Sequence, residues 1–216
     1  MKVDLHTHSI LSPDGGLSYD DYNNSPLDQI AITDHDEIDF AKRLYDKLCS
    51  KIIIGQEITS SNGEMIGLFL HKKIKPGLSP RLTAEEIKKQ GGIVYIPHPF
   101  ETIRNGISES VLDNIKEYVD IIEVVNGRAY FQNCSSIAYK WAMKNRVVIA
   151  ASSDAHGLVG WGNTYTEVSG DKEKKLDSGS ITYRLGDAKL STRRVGIGIV
   201  YPKLNRLRKK LGYNPK

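Results

Sequence analysis

The sequence predicts an α/β fold, a parallel sheet or barrel, and three observations carry that prediction. Short β-branched, apolar runs alternate with helix-type patterns along the first two thirds of the chain. These runs are apolar almost throughout, as strands covered on both faces are. Histidines and acids then follow the runs, at the carboxyl ends where a parallel barrel gathers its active site.

Seven strands are expected, at residues 3–8, 29–33, 52–58, 65–70, 93–96, 121–125 and 147–151. In residues 38–48, Phe40, Leu44, Tyr45 and Leu48 recur at helical spacing. Thr83 and Glu86 are spaced as a capping box opening the next helix, and Gly91-Gly92 ends it. Val111, Leu112, Ile115, Tyr118 and Val119 mark a further helix, and Ile137, Ala138 and Trp141 another. Strand–helix alternation of this kind implies parallel strands. After Val168 the texture changes. The charged run 171–175 reads as a solvated loop, residues 182–185 and 195–201 as late strands, and Leu204, Leu207 and Leu211 as a short helix with a basic outer face.

Composition bounds the answer. A chain of 216 residues predicts one domain, 1–216. Hydrophobic residues at 39% and charged residues at 26% exclude disordered, collagen-like and coiled-coil classes. No apolar run reaches the length of a membrane span, so no membrane partner is expected. The net charge of +4 permits a phosphate-bearing substrate without requiring one. Part of it lies in Lys203, Arg206, Arg208, Lys209, Lys210 and Lys216, a weaker basic face than most nucleic-acid binders show. Cys49 and Cys134 make neither a metal spacing nor a disulfide framework, which fits a reducing cytoplasm. Lys2 and Asp4 interrupt any apolar core at the N-terminus, so no signal peptide is expected.

Five of the six histidines sit beside acids or other histidines. His6 and His8 end the first strand, on one face because side chains alternate with a period of two. Asp34, His35 and Asp36 follow the second strand, Glu57 ends the third, His98 follows the fifth, and Asp154 and His156 follow the seventh. Each has a bland reading: a buried structural His, a capping Glu, a turn Asp. Convergence of five such sites on one rim favours the functional one. Asp34 could orient a ligand His, and Arg104 could grip a phosphate or lie on a surface loop. His71, in a Lys-rich turn, reads as a surface residue. No nucleophile elbow and no P-loop are present, which removes Ser-dependent acyl transfer and P-loop chemistry.

Six segments in order resemble the polymerase-and-histidinol-phosphatase (PHP) superfamily of metal-dependent phosphoesterases: His6-Thr7-His8-Ser9, Ser12-Pro13-Asp14-Gly15, Thr33-Asp34-His35-Asp36, Gly55-Gln56-Glu57, Pro97-His98-Pro99-Phe100 and Ser153-Asp154-Ala155-His156. The stretch from Gly160 to Val168 continues the likeness. The resemblance implies a distorted seven-stranded (β/α)7 barrel and two or three divalent ions, with manganese, zinc and iron all suited to a mixed imidazole and carboxylate site. His6, His8, Glu57 and Asp154 would hold the first ion. Glu57 would bridge to a second that His98 also binds, and Asp14, His35 and His156 would hold the third. Many relatives carry a His where this chain has Glu64, so Glu64 is the expected replacement ligand and His71 its competitor. Glu57, Asp154 and His98 are the expected catalytic residues, and Arg104 the substrate-binding one.

The activity implied is hydrolysis of a phosphomonoester, of a small metabolite or nucleotide, by a metal-bridged hydroxide. The alternative is a nuclease acting on DNA or RNA ends. A third reading is a metal-stabilised regulatory module without turnover.

Overall fold

The computed structural model describes residues 1–169 and 174–213. Parts of the expected charged loop (171–173) and basic tail (Lys216) therefore lie outside the described residues. The chain runs through β1 (Lys2–Asp4), α1 (Tyr19–Asn24), β2 (Gln29–Ile32), α2 (Asp39–Leu48), β3 (Ile52–Ser60) and β4 (Gly63–Leu68). It continues through α3 (Pro80–Lys89), β5 (Ile93–Ile96), α4 (Glu109–Asp113), β6 (Ile121–Asn126), α5 (Ser135–Asn145) and β7 (Val148–Ser152). Two short strands, β8 (Thr166–Glu167) and β9 (Lys189–Leu190), and two helices, α6 (Ile181–Leu185) and α7 (Tyr201–Lys210), complete it.

The strands form one sheet of order β7-β6-β5-β4-β3-β2-β1-β8-β9. It curls until its ends nearly meet, giving a barrel-like fold. Val3, Ala31, Ile53, Ile66, Tyr95, Ile121 and Ala150, one from each of the first seven strands, pack together in one buried cluster. Residues that alternate with these face the helices: Ile58, Val94, Ile96 and Ile122 pack with Ile87 of α3 and Trp141 of α5. The near-continuous apolar strands are thus covered on both faces, as expected. Closure comes from side chain and rim. The Thr166 hydroxyl of β8 accepts from the Ala151 N–H and donates to the Ala151 carbonyl, both at 2.9 Å. Beyond the strand ends, Asp154 N–H donates to His6 O and His8 N–H to Ala155 O, each at 2.9 Å.

The seven expected strands are all present, yet four expectations are corrected. Among the described residues nine strands form rather than seven, because β8 and β9 are two-residue pairings with no periodic signal. The sheet is mixed: β4 runs antiparallel to β3 and β5, since only Ser61 and Asn62 separate β3 from β4 and no crossover helix fits. Residues 182–185 lie in helix α6, and residues 196–200 form a 3-10 turn leading into α7. Gly196 takes φ +61, outside the extended range, and Gly198 packs where a Cβ would meet the Val159 carbonyl. The Thr83–Glu86 capping box is absent. Ser79 caps α3, accepting from Leu82 N–H at 3.3 Å, with Pro80 at the first helical position. Thr83 sits within the helix, where its hydroxyl bonds the Ser79 carbonyl. Gly91, at φ +69, does end α3.

Among the described residues no helix is long and apolar enough to cross a membrane.

Candidate metal centre

The rim segment after β1 sets the first pair of candidate ligands. Thr7 turns away to donate to the Ala31 carbonyl at 2.7 Å, which leaves His6 and His8 together, their Nε2 atoms 3.1 Å apart. Across the barrel β3 brings Glu57, whose Oε2 lies 3.4 Å from His6 Nε2 and 3.3 Å from His8 Nε2. The loop after β7 brings Asp154, with Oδ1 at 3.6 and 3.4 Å from the same two nitrogens. All four side chains are buried. An ion with bonds of 2.0–2.1 Å to four tetrahedral donors separates those donors by about 3.3 Å. The observed spacings scatter around that value. Glu57 Oε2 is also a buried oxygen without a hydrogen-bond donor, a costly position unless a cation satisfies it. The residues present fit a divalent ion.

Two further groups adjoin the first. Glu57 Oε1 lies 3.1 Å from His98 Nε2, and Glu64 Oε2 lies 3.6 Å from the same nitrogen. On the other side Asp14 Oδ1 lies 3.3 Å from His156 Nε2 and 3.6 Å from His35 Nε2, and His35 Nδ1 is 3.2 Å from Glu57 Oε2. His156 Nε2 is a second buried atom with no hydrogen-bond partner. Every residue expected at the site is thus brought to one place, including Glu64. His71 is exposed on the turn after β4. His98 and Asp154 have φ of +28 and +53, left-handed backbone that non-glycine residues adopt at a cost and that clusters at functional sites.

The side chains perturb one another strongly. Burial, then the nearby Glu57 and Asp154 charges, push the Glu64 carboxyl up to about 9. Burial, then the His8 and Arg128 charges, push His156 down to about 3. Burial works to raise Glu57, but His35 and His6 outweigh it and hold that carboxyl well below its usual range. Burial likewise works to lower His6, and Asp154 and Glu57 overcome it, holding the imidazole well above its usual value. So many opposed ionisable groups in one buried place mark a functional site.

Arg104 lines the cleft, but not as a free phosphate grip. Its Nη1 donates to Asp154 Oδ2 at 2.6 Å and Asn126 Oδ1 at 2.8 Å, and its Nε and Nη2 both donate to Glu101 Oε2. Asp34 does not touch a ligand histidine side chain by hydrogen bond. It accepts from the Ser9 N–H and hydroxyl, pinning the turn after His8.

Sequence reasoning missed three residues. Glu123, on β6, accepts from the His98 N–H at 2.7 Å, Asn126 Nδ2 at 2.8 Å and Tyr95 OH at 2.9 Å, and lies 3.3 Å from His6 Nδ1. An acid inside the apolar run Ile121–Asn126 was a signal for it. Arg128 reaches Asp154 Oδ2 at 3.2 Å, and Arg206 reaches Asp14 Oδ2 at 2.8 Å. Neither has a local pattern that announces it. The candidate ligands other than His6 and His8 line the floor of a cleft of about 390 Å³, walled by Arg104, Arg128, Phe131, Lys203 and Arg206.

No protein-family model matches the chain. The uncharacterized protein MJ0417 of Methanocaldococcus jannaschii is 34% identical over 178 residues, which cover 78% of this chain and 71% of that protein. A two-domain protein from Bacteroides vulgatus, containing a predicted PHP-like metal-dependent phosphoesterase, superposes with a TM-score of 0.69 at 22% identity. That match covers 89% of this chain and 65% of the other, so this chain spans less than two thirds of that protein. The lesion-specific endonuclease PfuEndoQ of Pyrococcus furiosus superposes with a TM-score of 0.60 at 14% identity, over 88% of this chain and 57% of that one. At such identities the structural likeness shows a shared fold.

Proposed function

The chain belongs to the family of the uncharacterized protein MJ0417 and shares its fold with a PHP-like metal-dependent phosphoesterase, and we propose that it is itself a metal-dependent phosphoesterase acting on a phosphomonoester. The observation that carries this reading is the approach of Glu57 Oε2 and of Asp154 Oδ1 to within 3.3–3.6 Å of both His6 Nε2 and His8 Nε2, themselves 3.1 Å apart, beside further candidate ligands. Divalent ions bound there supply Lewis acidity at the phosphoryl oxygens and an activated water.

The chain's own residues do the rest. Glu57 offers Oε2 to the His6–His8 group and Oε1 to His98, so this one carboxylate would help hold ions at both groups. His98 and Glu64 complete the second group, and Asp14, His35 and His156 the third. Arg104 and Arg128 hold Asp154 by Oδ2, which leaves Oδ1 aimed at the histidines. Arg128 Nε, buried and without a partner, Lys203 and Arg206 put positive charge around the space above the ligands, where a phosphate dianion would sit. A cleft of about 390 Å³ is of small-ligand size.

A second reading, hydrolysis at nucleic-acid ends, is favoured by α7, whose Lys203 and Arg206 line the cleft while Arg208 and Lys210 extend the charge onto the exposed face. One panel separates the two. Protein loaded with manganese, zinc or iron is offered phosphomonoesters and 5′-phosphorylated oligonucleotides. The proposal expects phosphate release from monoesters with a weak salt dependence. Oligonucleotide shortening that falls steeply with salt, and with Arg208→Glu and Lys210→Glu, would favour the second reading. Metal-loaded protein that cleaves no phosphoester overturns both and leaves the regulatory module.

A further inference from the structure

The basic C-terminal stretch turns part of its charge inward. Between β1 and α1 the chain has no helix and only isolated bridges, yet this segment carries Asp14. It needs an external support, and α7 supplies one. Pro202, Asn205 and Lys209, at spacings of three and four, make the buried or half-buried stripe of a helix whose remaining basic residues are exposed. Asn205 Nδ2 spends both hydrogens on two ligand residues, donating to the Asp14 carbonyl at 2.9 Å and the His156 carbonyl at 2.8 Å. Lys209 Nζ is caged by three carbonyls of the loop, Ile10 at 2.8 Å, Gly15 at 3.0 Å and Ser12. Ser12 in turn takes the His35 N–H on its hydroxyl and donates to Asp14 Oδ1. Gly16 is needed for this approach, because a Cβ there would stand 2.8 Å from Asn205 Nδ2.

We propose that α7 is the support on which the third ion site is built, with Asn205 and Lys209 as positioning residues that hold Asp14 against His35 and His156. This rests on the metal-centre reading above and goes beyond it: residues 191 and more positions downstream set a ligand loop near the N-terminus. The first site is less exposed to the same contacts: Asn205 and Lys209 make no hydrogen bond to the side chains of His6, His8, Glu57 or Asp154, and the loop reaches that group only through the Ser12 hydroxyl, 3.4 Å from His8 Nδ1. A chain with a displaced α7 therefore keeps its first ion and loses the third.

The test counts ions. Full-length protein is stripped with chelator, reloaded with excess manganese, desalted and measured by elemental mass spectrometry. Asn205→Ala and Lys209→Met are each expected to carry about one equivalent less than wild type, and Lys209→Arg to recover most of it. A role in stability alone would lower the denaturation midpoint of the metal-free variants and leave the count unchanged. Equal counts in wild type, Asn205→Ala and Lys209→Met overturn the proposal. If Asn205→Ala does not fold, Lys209→Met decides by itself, because its side chain leaves the helix face half-exposed. Wild-type protein that takes up no manganese, zinc or iron overturns the metal-centre reading, a failure distinct from that of α7.

Discussion

Replacing Glu123 by Gln should disable His6 as a ligand without unfolding the protein. The Glu123 carboxylate faces two pairs of partners. At Oε2 stand the His98 N–H and the Asn126 amide, at 2.7 and 2.8 Å. Neither can turn, since one is backbone and the oxygen of Asn126 already accepts from Arg104 and from the Arg128 N–H. The new amide must therefore present its oxygen there and its NH2 group to the other pair, Tyr95 OH and His6 Nδ1. Tyr95 adapts by donating to Ser152 Oγ at 2.9 Å and accepting from the amide. His6 adapts only by making Nδ1 an acceptor, which moves its proton to Nε2, the atom aimed at the cation site. Binding a cation then requires the reverse tautomer, with Nδ1–H facing an N–H, a buried unpaired donor costing about 1–3 kcal/mol. That corresponds to roughly 5–150-fold, in line with the roughly 10–100-fold usual when a group orienting a metal-bound His is lost. Calorimetric titration of stripped Glu123→Gln protein should show first-site affinity weakened by about 10–100-fold. Affinity within a factor of two of wild type would refute the assignment of the His6 tautomer to Glu123.

Further outcomes follow from the same geometry. Glu64, held up at about 9, keeps its proton at pH 7 until a cation arrives, so ion binding should release protons; binding enthalpies that do not vary with the ionisation enthalpy of the buffer would contradict this. The same raised carboxyl gives a pH dependence of stability. From pH 7 to 9 the metal-free folded state retains a proton that the unfolded chain has lost, so stability falls as pH rises, by about 2 kcal/mol. Urea denaturation of stripped protein at the two pH values checks it, and equal or greater stability at pH 9 is the contrary result. Thr166→Val removes both hydrogen bonds that join β8 to β7 and should cost about 2 kcal/mol in denaturant unfolding. A loss below about 0.5 kcal/mol would mean that the rim contacts alone close the sheet.

Strands β2, β5 and β6 were legible because their environment is set by local composition. A run such as Ile93–Ile96 has nothing to offer solvent on either face. The clustering of the candidate ligands was legible for a related reason: in a barrel, position along a strand fixes position in space, so His6, His35, His98 and His156, each at or just past a strand's carboxyl end, are expected on a common rim. Direction of pairing was less so. The apolar run of β4 reads the same whether it lies parallel or antiparallel, and only the shortness of its connection to β3 decides. Residues 182–185 show why short apolar stretches mislead, since Ile181 and Leu185 are buried at helical spacing as readily as at strand spacing. Glu123 carried a signal in an otherwise apolar strand. The α7 contacts carried none, because Arg206 and Lys209 look like any solvated basic face until tertiary packing sets them against Asp14 and the Ile10 carbonyl.

The central claim is that this cluster binds divalent ions and hydrolyses phosphoesters with them. Phosphate release from a phosphomonoester, followed while chelator-stripped protein is titrated with manganese, tests it most directly. The account predicts no release from the stripped protein, a rise that tracks bound equivalents, and no release at any loading from Glu57→Gln. Release that persists in the stripped protein, or none from fully loaded wild type, would contradict it.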